Sequence, residues 1–209
     1  MKILVIIPIA GLSNSDIDAR LSFLKSIAHS NTQIDVVKSE KGPIAIESKV
    51  DIELASPEIL RLVKKAEKDG YDATIIWCAD DPALDAAREM VDIPVIGPRQ
   101  ASILLGSMLG KKVCVIPPPL PVLDLRKNLG KTIEAIKEAI KIAIEKNGAD
   151  TFVLGCMGLF GLGKMLREEL DVPVIDPAEA ALKMAEIMVE LNLRHSRLAY
   201  PKYPPAHRR

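Results

Sequence analysis

Along the chain, short runs of consecutive apolar, largely β-branched residues alternate with longer stretches in which apolar positions recur every three or four residues. The runs at 2–7, 33–38, 73–77, 94–96, 112–116, 151–154 and 173–175 read as strands. They are apolar at successive positions rather than at alternate ones, which is expected of strands covered on both faces in a parallel sheet. Between them, helical periodicity is read at 56–69, with Pro57 at the helix start, and at 82–90, 131–146 and 178–191. The pattern predicts an α/β protein with parallel sheets flanked by helices.

The pattern also repeats. Asp69-Gly70-Tyr71-Asp72, an apolar strand and Cys78 line up with Asn147-Gly148-Ala149-Asp150, an apolar strand and Cys156, so the second cysteine follows the first by 78 positions. With one extra residue the match continues from Ile93-Pro94-Val95-Ile96-Gly97-Pro98 onto Val172-Pro173-Val174-Ile175-Asp176-Pro177. The opening run Lys2-Ile3-Leu4-Val5-Ile6-Ile7-Pro8 resembles Lys112-Val113-Cys114-Val115-Ile116-Pro117 in the same way. Any two strand-helix-strand units share some likeness, but that does not explain a cysteine at the same place in both. Two halves built on one plan are therefore expected.

Composition narrows the partners. A chain of 209 residues fits one large domain or two small lobes, and with 48% apolar but only 3% aromatic residues its core must be aliphatic. Lys and Arg (28) balance Asp and Glu (28), leaving no positive surplus for nucleic acid or an anionic membrane surface. No apolar run approaches the roughly 18 residues of a membrane span. The chain opens directly on a strand-like run with no secretory-leader pattern, so a cytoplasmic location is expected. Three cysteines with no C-x-x-C pair read as free thiols, which removes the usual zinc and thioredoxin readings. Ile7-Pro8-Ile9-Ala10-Gly11-Leu12 contains no G-x-G-x-x-G, which argues against a dinucleotide-dependent oxidoreductase.

The repeat places each thiol where a strand ends, at the carboxyl edge of a parallel sheet, where ligand crevices form. Asp80 or Asp81 followed by Pro82 reads as the start of a helix whose N–H groups point back at Cys78. Gly158, Gly161 and Gly163 permit close backbone approach at the matching helix start after Cys156. Positive helix ends should lower both thiols from about 8.5 towards neutrality. They should also favour an anionic group or a developing enolate. Two such thiols suit inversion of a carbon bearing an acidic proton, which needs a base on one face and an acid on the other, with the roles exchanged in reverse.

These residues carry a family resemblance. Gly42-Pro43-Ile44-Ala45-Ile46-Glu47-Ser48 with Asp51, then Trp77-Cys78-Ala79-Asp80-Asp81-Pro82, Val95-Ile96-Gly97-Pro98, Leu154-Gly155-Cys156-Met157-Gly158 and Val174-Ile175-Asp176-Pro177 resemble the aspartate/glutamate/hydantoin racemase family, closest to its hydantoin and allantoin branch. The resemblance implies two pseudo-symmetric α/β lobes facing each other across a cleft, 1–97 with 178–209 and 98–177. It implies Cys78 and Cys156 as paired acid/base thiols, no organic cofactor and no metal, a small-molecule substrate, and a homo-oligomer. Pro8, Ile46, Glu47 and Ser48 would lie at the pocket, and the backbone of Ala79, Asp80, Met157 and Gly158 would bind substrate oxygens. Ile7-Pro8-Ile9 stands where hydantoin racemases tend to carry Asn-Pro-Asn, which shifts the expected pocket towards apolar groups. Ala79-Asp80 and Met157-Gly158 stand where the amino-acid racemases carry Asn-Thr and Thr-His. The run Pro117-Pro118-Pro119-Leu120-Pro121 stands in place of a helix and strand. It predicts a shortened second lobe that either opens the cleft or leaves a wall to another subunit.

Other polar residues have simpler readings. Cys114 lies inside a strand and reads as core, and His29, His195 and His207 lack metal-ligand spacing. Asp80 and Asp81 read as caps, although Asp80 near Cys78 would raise that thiol's pKa. Glu47 reads equally as a pocket residue or a solvated charge. Residues 200–209 read as a Pro-rich irregular arm on the surface or a neighbouring subunit. Two other functions fit the same residues: a cysteine-dependent isomerase of a small dicarboxylate, and a small-molecule binder without turnover.

Overall fold

The computed structural model describes residues 1–203; the readings of His207 and of 204–209 lie outside the described residues. Seven strands form two sheets. β1 (Lys2–Ile7), β2 (Gln33–Lys38), β3 (Ala73–Ile76) and β4 (Val95–Ile96) pair in the order β2-β1-β3-β4, and β5 (Val113–Ile116), β6 (Thr151–Leu154) and β7 (Val174–Ile175) in the order β5-β6-β7. Every pairing is parallel, with Val5 opposite Val36 and Ile75 in the first sheet and Val153 opposite Val115 and Ile175 in the second. The helices are α1 (Asn14–Ile27), α2 (Lys49–Lys68), α3 (Leu84–Met90), α4 (Pro98–Leu109), α5 (Leu129–Asn147), α6 (Gly163–Leu170) and α7 (Pro177–Glu190). Among the described residues no helix is long and apolar enough to cross a membrane.

The unbroken apolar strands follow from burial on both faces. Leu4 and Ile6 pack outward against Ala55, Ile59, Leu62 and Val63 of α2, whereas Ile3, Val5 and Ile7 join a central core with Ala178, Ala181, Leu182 and Ala185 of α7. In the second sheet Phe152 and Leu154 pack outward against Ile136 and Ile140 of α5 and Leu166 of α6, while Val153 faces the central core. The helix after each short strand crosses to the other sheet. Helix α4, which follows β4, lies on β5, β6 and β7; helix α7, which follows β7, lies on β3 and β4; and the two helices pack on each other. The alanines of α7 keep that layer thin, so the carboxyl ends of the two sheets stay close.

The structure explains most of the repeat. Gly70 and Gly148 adopt left-handed φ values of 77° and 62° as α2 and α5 end, a conformation that side chains disfavour. The Asp72 carboxylate accepts from the Lys2 N–H at 2.7 Å, and Asp150 accepts from the Lys111 and Lys112 N–H groups at 3.0 Å each. Each aspartate thus ties a middle strand to the start of its neighbour. Arg88 donates to the Val95 carbonyl at 3.2 and 3.1 Å, and Arg167 donates to Val174 at 2.8 Å. The cysteine side chains tie no two strands together in this way; that of Cys156 accepts from the Gly158 N–H within its own turn.

Several expectations need correction. Pro57 lies inside α2, which starts eight residues before it at Lys49, where the Ser48 hydroxyl accepts from the Asp51 N–H at 3.2 Å. The periodicity assigns no helix to α1 or α4, and of α6 it gives only a helix start after Cys156. The first of these does carry a local signal: the Ser13 hydroxyl and Asp16 cap each other's backbone N–H groups, and Ile17, Leu21 and Leu24 form its apolar stripe. The second sheet has three strands, and 117–128 forms turns after β5.

His195 is a structural acceptor. Its Nε2 accepts from the Val95 N–H at 2.9 Å, and burial beside Arg88 and Arg197 pushes its pKa down to about 4. The unfolded chain takes up this proton near pH 6.5 and the folded chain resists until about 4, so stability falls as pH drops through that window and levels below it. His195→Gln keeps an oxygen acceptor that does not titrate. The difference between the unfolding free energies of the two proteins should change between pH 6.5 and 4 and be flat above; equal slopes throughout would show that the imidazole is free to protonate in place.

Candidate active site

β3 and β6 end at matching positions and each hands the chain to a tight turn. The Asp81 N–H donates to the Cys78 carbonyl at 3.1 Å, and the Leu159 N–H donates to the Cys156 carbonyl at 3.1 Å. Both thiols therefore emerge at the carboxyl edges of the two sheets, and both line one cavity of about 590 Å³, a size suited to a small ligand. The loop before α2 is brought to the end of β1 by the Ala10 and Gly11 N–H groups, which donate to the Pro43 and Ile44 carbonyls at 3.0 Å each.

Every residue singled out from the sequence borders this cavity: Cys78, Cys156, Pro8, Ile46, Glu47, Ser48, Ala79, Asp80, Met157 and Gly158. The Ser48 hydroxyl is already engaged, donating to the Asp51 carboxylate at 2.8 Å while capping α2. Glu47 bridges the mouth of the cleft, its Oε1 accepting from the Val122 N–H at 2.8 Å. Pro118, Leu120, Pro121 and Val122 supply a wall of the cavity themselves, so the shortened segment closes it from within the chain. Ile7, Ile9 and Ile52 add to an aliphatic lining. Cys114 packs beside the outer core of the second sheet, and His29 lies by Glu186, 3.6 Å away; neither borders the cavity. Among the described residues no cluster of three or more His, Cys, Asp or Glu side chains could hold a metal.

The thiol electrostatics differ from the sequence expectation. All three cysteines are free, but burial pushes Cys78 up to about 12 and raises Cys156 as well. Each sulfur opens on the cavity rather than on bulk water, and the surrounding aliphatic atoms solvate a thiolate poorly. Helix ends do not reverse this. Helix α3 begins at Leu84, two residues later than expected, because Asp81 and Ala83 both take left-handed φ values and Pro82 sits in the turn. Helix α6 begins at Gly163, beyond a single 3₁₀ turn. What each sulfur has instead is one backbone donor, the Asp80 N–H for Cys78 and the Gly158 N–H, 3.3 Å away, for Cys156. Asp80 raises both thiols, though Arg99 at 3.0 Å and Lys49 at 3.8 Å offset its charge. The two sulfurs are near enough that a charge on Cys156 raises Cys78.

Asp81 does not cap the helix that follows it. Its carboxylate accepts from the Arg99 and Gln100 N–H groups at 2.9 and 2.8 Å, at the start of α4. In the second copy the contact runs the other way: Asp176, at the start of α7, accepts from the Ala178 N–H at 2.9 Å and reaches the Gly161 N–H in the cysteine loop at 2.6 Å. Each carboxylate faces a glycine. A Cβ on Gly97 would fall 2.5 Å from the Asp81 carboxyl, and one on Gly163 would fall 2.8 Å from the Asp176 Cβ.

Two lining residues escaped the sequence reading. Arg20 extends from α1 into the wall of the cavity, and Trp77, directly before Cys78, packs edge-on to Phe160 at 5.9 Å. The capping pair Ser13 and Asp16 would have revealed the helix that carries Arg20. Trp77 stands at a strand end and in the segment that carries the family resemblance, but neither reading gives it a place in the pocket.

Known proteins resemble this chain in sequence and fold. Residues 3–118 and 117–185 match the family model described as Asp/Glu/Hydantoin racemase. The chain is 37% identical over 207 residues to the hydantoin racemase of Pseudomonas sp. (strain NS671), covering 86% of this chain and 83% of that one. It is 33% identical over 227 residues to the hydantoin racemase of Paenarthrobacter aurescens, covering 94% of each. Among solved structures, allantoin racemase from Klebsiella pneumoniae superimposes with a TM-score of 0.88 at 30% identity, covering 97% of this chain and 94% of that one.

Asp81→Ala removes the acceptor of two N–H groups and should lower the unfolding free energy by about 1–2 kcal/mol. Gly97→Ala should weaken the same contact by evicting the carboxylate, so the double variant should lose less than the sum of the singles. Denaturant midpoints measure this, and strict additivity would break the link between the two residues.

Proposed function

The chain belongs to the Asp/Glu/hydantoin racemase family and is an isomerase; on that premise we propose that it inverts a small chiral compound bearing an acidic proton next to a carbonyl, with Cys78 and Cys156 as the two acid/base groups and no cofactor. The observation that carries this reading is the arrival of two repeat-equivalent cysteines in one ligand-sized cavity. One thiolate takes the proton from the stereogenic carbon, and the electron pair moves into the carbonyl as an enolate. The opposite thiol gives its proton to the other face, and the enzyme is left with the two protonation states exchanged. We assign the substrate oxygens to the turns after each cysteine, chiefly to the Ala79 and Met157 N–H groups, because that of Gly158 is taken by the Cys156 sulfur. The two lobes, 1–97 with the C-terminal part from 178 and 98–177, would each contribute one thiol.

The lining argues for the substituent on the inverted carbon. Ile7, Ile9, Ile46, Ile52, Leu120 and Val122 offer it no hydrogen-bonding side chain, so an alkyl or aryl group should be preferred over a ureido group. That favours a 5-alkyl or 5-aryl hydantoin over allantoin. A second reading, a binder without turnover, is favoured by the Cys78 thiol being held protonated by burial.

One experiment separates the two readings. In D₂O, 5-alkyl hydantoins, 5-aryl hydantoins, allantoin and α-amino acids are followed by optical rotation and by deuterium at the inverted carbon. The expected result is loss of rotation with deuterium incorporation, fastest for the alkyl and aryl hydantoins. Cys78→Ser and Cys156→Ser should each slow inversion by about a thousandfold, while a single-thiol variant still exchanges deuterium into one enantiomer. Thermal stabilisation by a ligand with no exchange would establish the binder instead.

A further inference from the structure

Arg20 is almost completely buried, with 5% of its surface exposed, yet no carboxylate lies within ion-pair distance of it among the described residues. Its Nη1 donates to the Asp16 backbone carbonyl at 2.7 Å, and its Nε has no partner. The nearby Asp16 carboxylate is committed to the Ser13 backbone N–H and hydroxyl. The guanidinium lies over the Phe160 ring at 5.1 Å, and Phe160 closes the turn that begins at Cys156. A cation held this way in an aliphatic wall acts at longer range than one in water and calls for a nearby anion.

We propose that Arg20 is a positioning residue that makes Cys156, rather than Cys78, the first thiol of the pair to ionise. This rests on the reading of the two cysteines as acid and base. The surroundings of the sulfurs differ in one respect. Each has a single backbone N–H, but the charged groups facing Cys156 are Arg20 from α1, Asp80 from the loop after β3 and Glu47 from the loop before α2, whereas those facing Cys78 are Asp80, Asp81 and Cys156 itself. The cation bearing on Cys156, Arg20, lines the cavity and has a free Nε, whereas Lys49 and Arg99 on the Cys78 side are engaged with the Asp80 carboxylate. Arg126 also stacks on Phe160, at 4.0 Å, but it faces Asp176 and Asp16 and repels Arg20, pressing that charge towards an anion. Burial lowers Arg20 to about 10, so it remains charged at neutral pH. Cys156 is then the base that opens the reaction and Cys78 the acid that completes it, and the substrate enantiomer whose proton faces Cys156 is the one the resting protein accepts.

The test needs no substrate. The pH dependence of iodoacetamide alkylation is measured separately for Cys78 and Cys156 by peptide mapping, in the wild type, Arg20→Met and Arg20→Lys. Cys156 should titrate below Cys78. Arg20→Met should move the Cys156 profile up by about one unit, or about tenfold slower alkylation at neutral pH, and shift Cys78 less. Arg20→Lys should restore most of the rate, and because it retains charge and length it keeps the test open if the methionine variant folds poorly. Cys78 titrating first, or a Cys156 profile unmoved by Arg20→Met in a folded protein, overturns the assignment. So does a loss seen only as a raised KM with the Cys156 profile unchanged, which would make Arg20 a substrate contact. Since alkylation is read without turnover, a protein with the expected profiles and no deuterium exchange would retire the racemase reading while leaving this assignment standing.

Discussion

Both thiols are held in place by a carboxylate that joins the loop carrying a cysteine to the start of the helix after the next strand. Without it, the turn at Asp81 to Ala83, left-handed at two positions, would be fixed only by its local backbone hydrogen bonds, and the N–H groups opening α4 would lose their acceptor. The contact is made at a cost: burial raises Asp81 and pushes Asp176 up to about 6, against the stabilising effect of the N–H donors each accepts from. Because α4 and α7 also form the layer between the sheets, the carboxylates that position the loops position them against the shared core. The separation of the cysteines is thereby set by helix packing rather than by loop chemistry.

The cavity reconciles two opposing requirements. A base that removes a weakly acidic proton must be strong, and a thiolate shielded from water is a stronger base than one in solution. The same shielding disfavours forming the thiolate. On the two-thiol reading, raising both thiols by burial, with one backbone donor apiece, would supply strength, and the Arg20 cation would select which sulfur carries the charge. On the same reading the aliphatic wall that shields the sulfurs would also meet the substituent of the substrate, so that basicity and selectivity would arise from the same side chains.

The seven strands of the described residues were legible as short β-branched runs, clearest in β1, β3 and β6, where burial on both faces leaves almost no polar position, and weaker in the edge strand β2, which carries Gln33, Asp35 and Lys38; observed and expected bounds differ by at most one residue at an end. The helices were legible where their signals are local. Helix α4 begins at Gly97-Pro98 with no side-chain cap of its own, because its cap is Asp81, sixteen residues upstream. Helix α6 likewise has no cap from Leu162. Pro57 misled because proline marks the first turn of many helices, and here Ser48 and Asp51 had already started one. At the site, residues adjacent to the cysteines or in the matching loop were legible from the repeat. Arg20 was not, since it reaches the cavity from a helix outside the repeat.

The inverted carboxylate contact bears on how the two halves descend from one another. At the start of the helix one copy has Gly97 and the other Asp176, and in the cysteine loop one has Asp81 and the other a glycine donor at Gly161. Grafting the helix start of the second copy onto the first would set two carboxylates face to face; the opposite graft would leave neither. The two halves are therefore a lock and its key: built on one plan, yet no longer interchangeable at this contact.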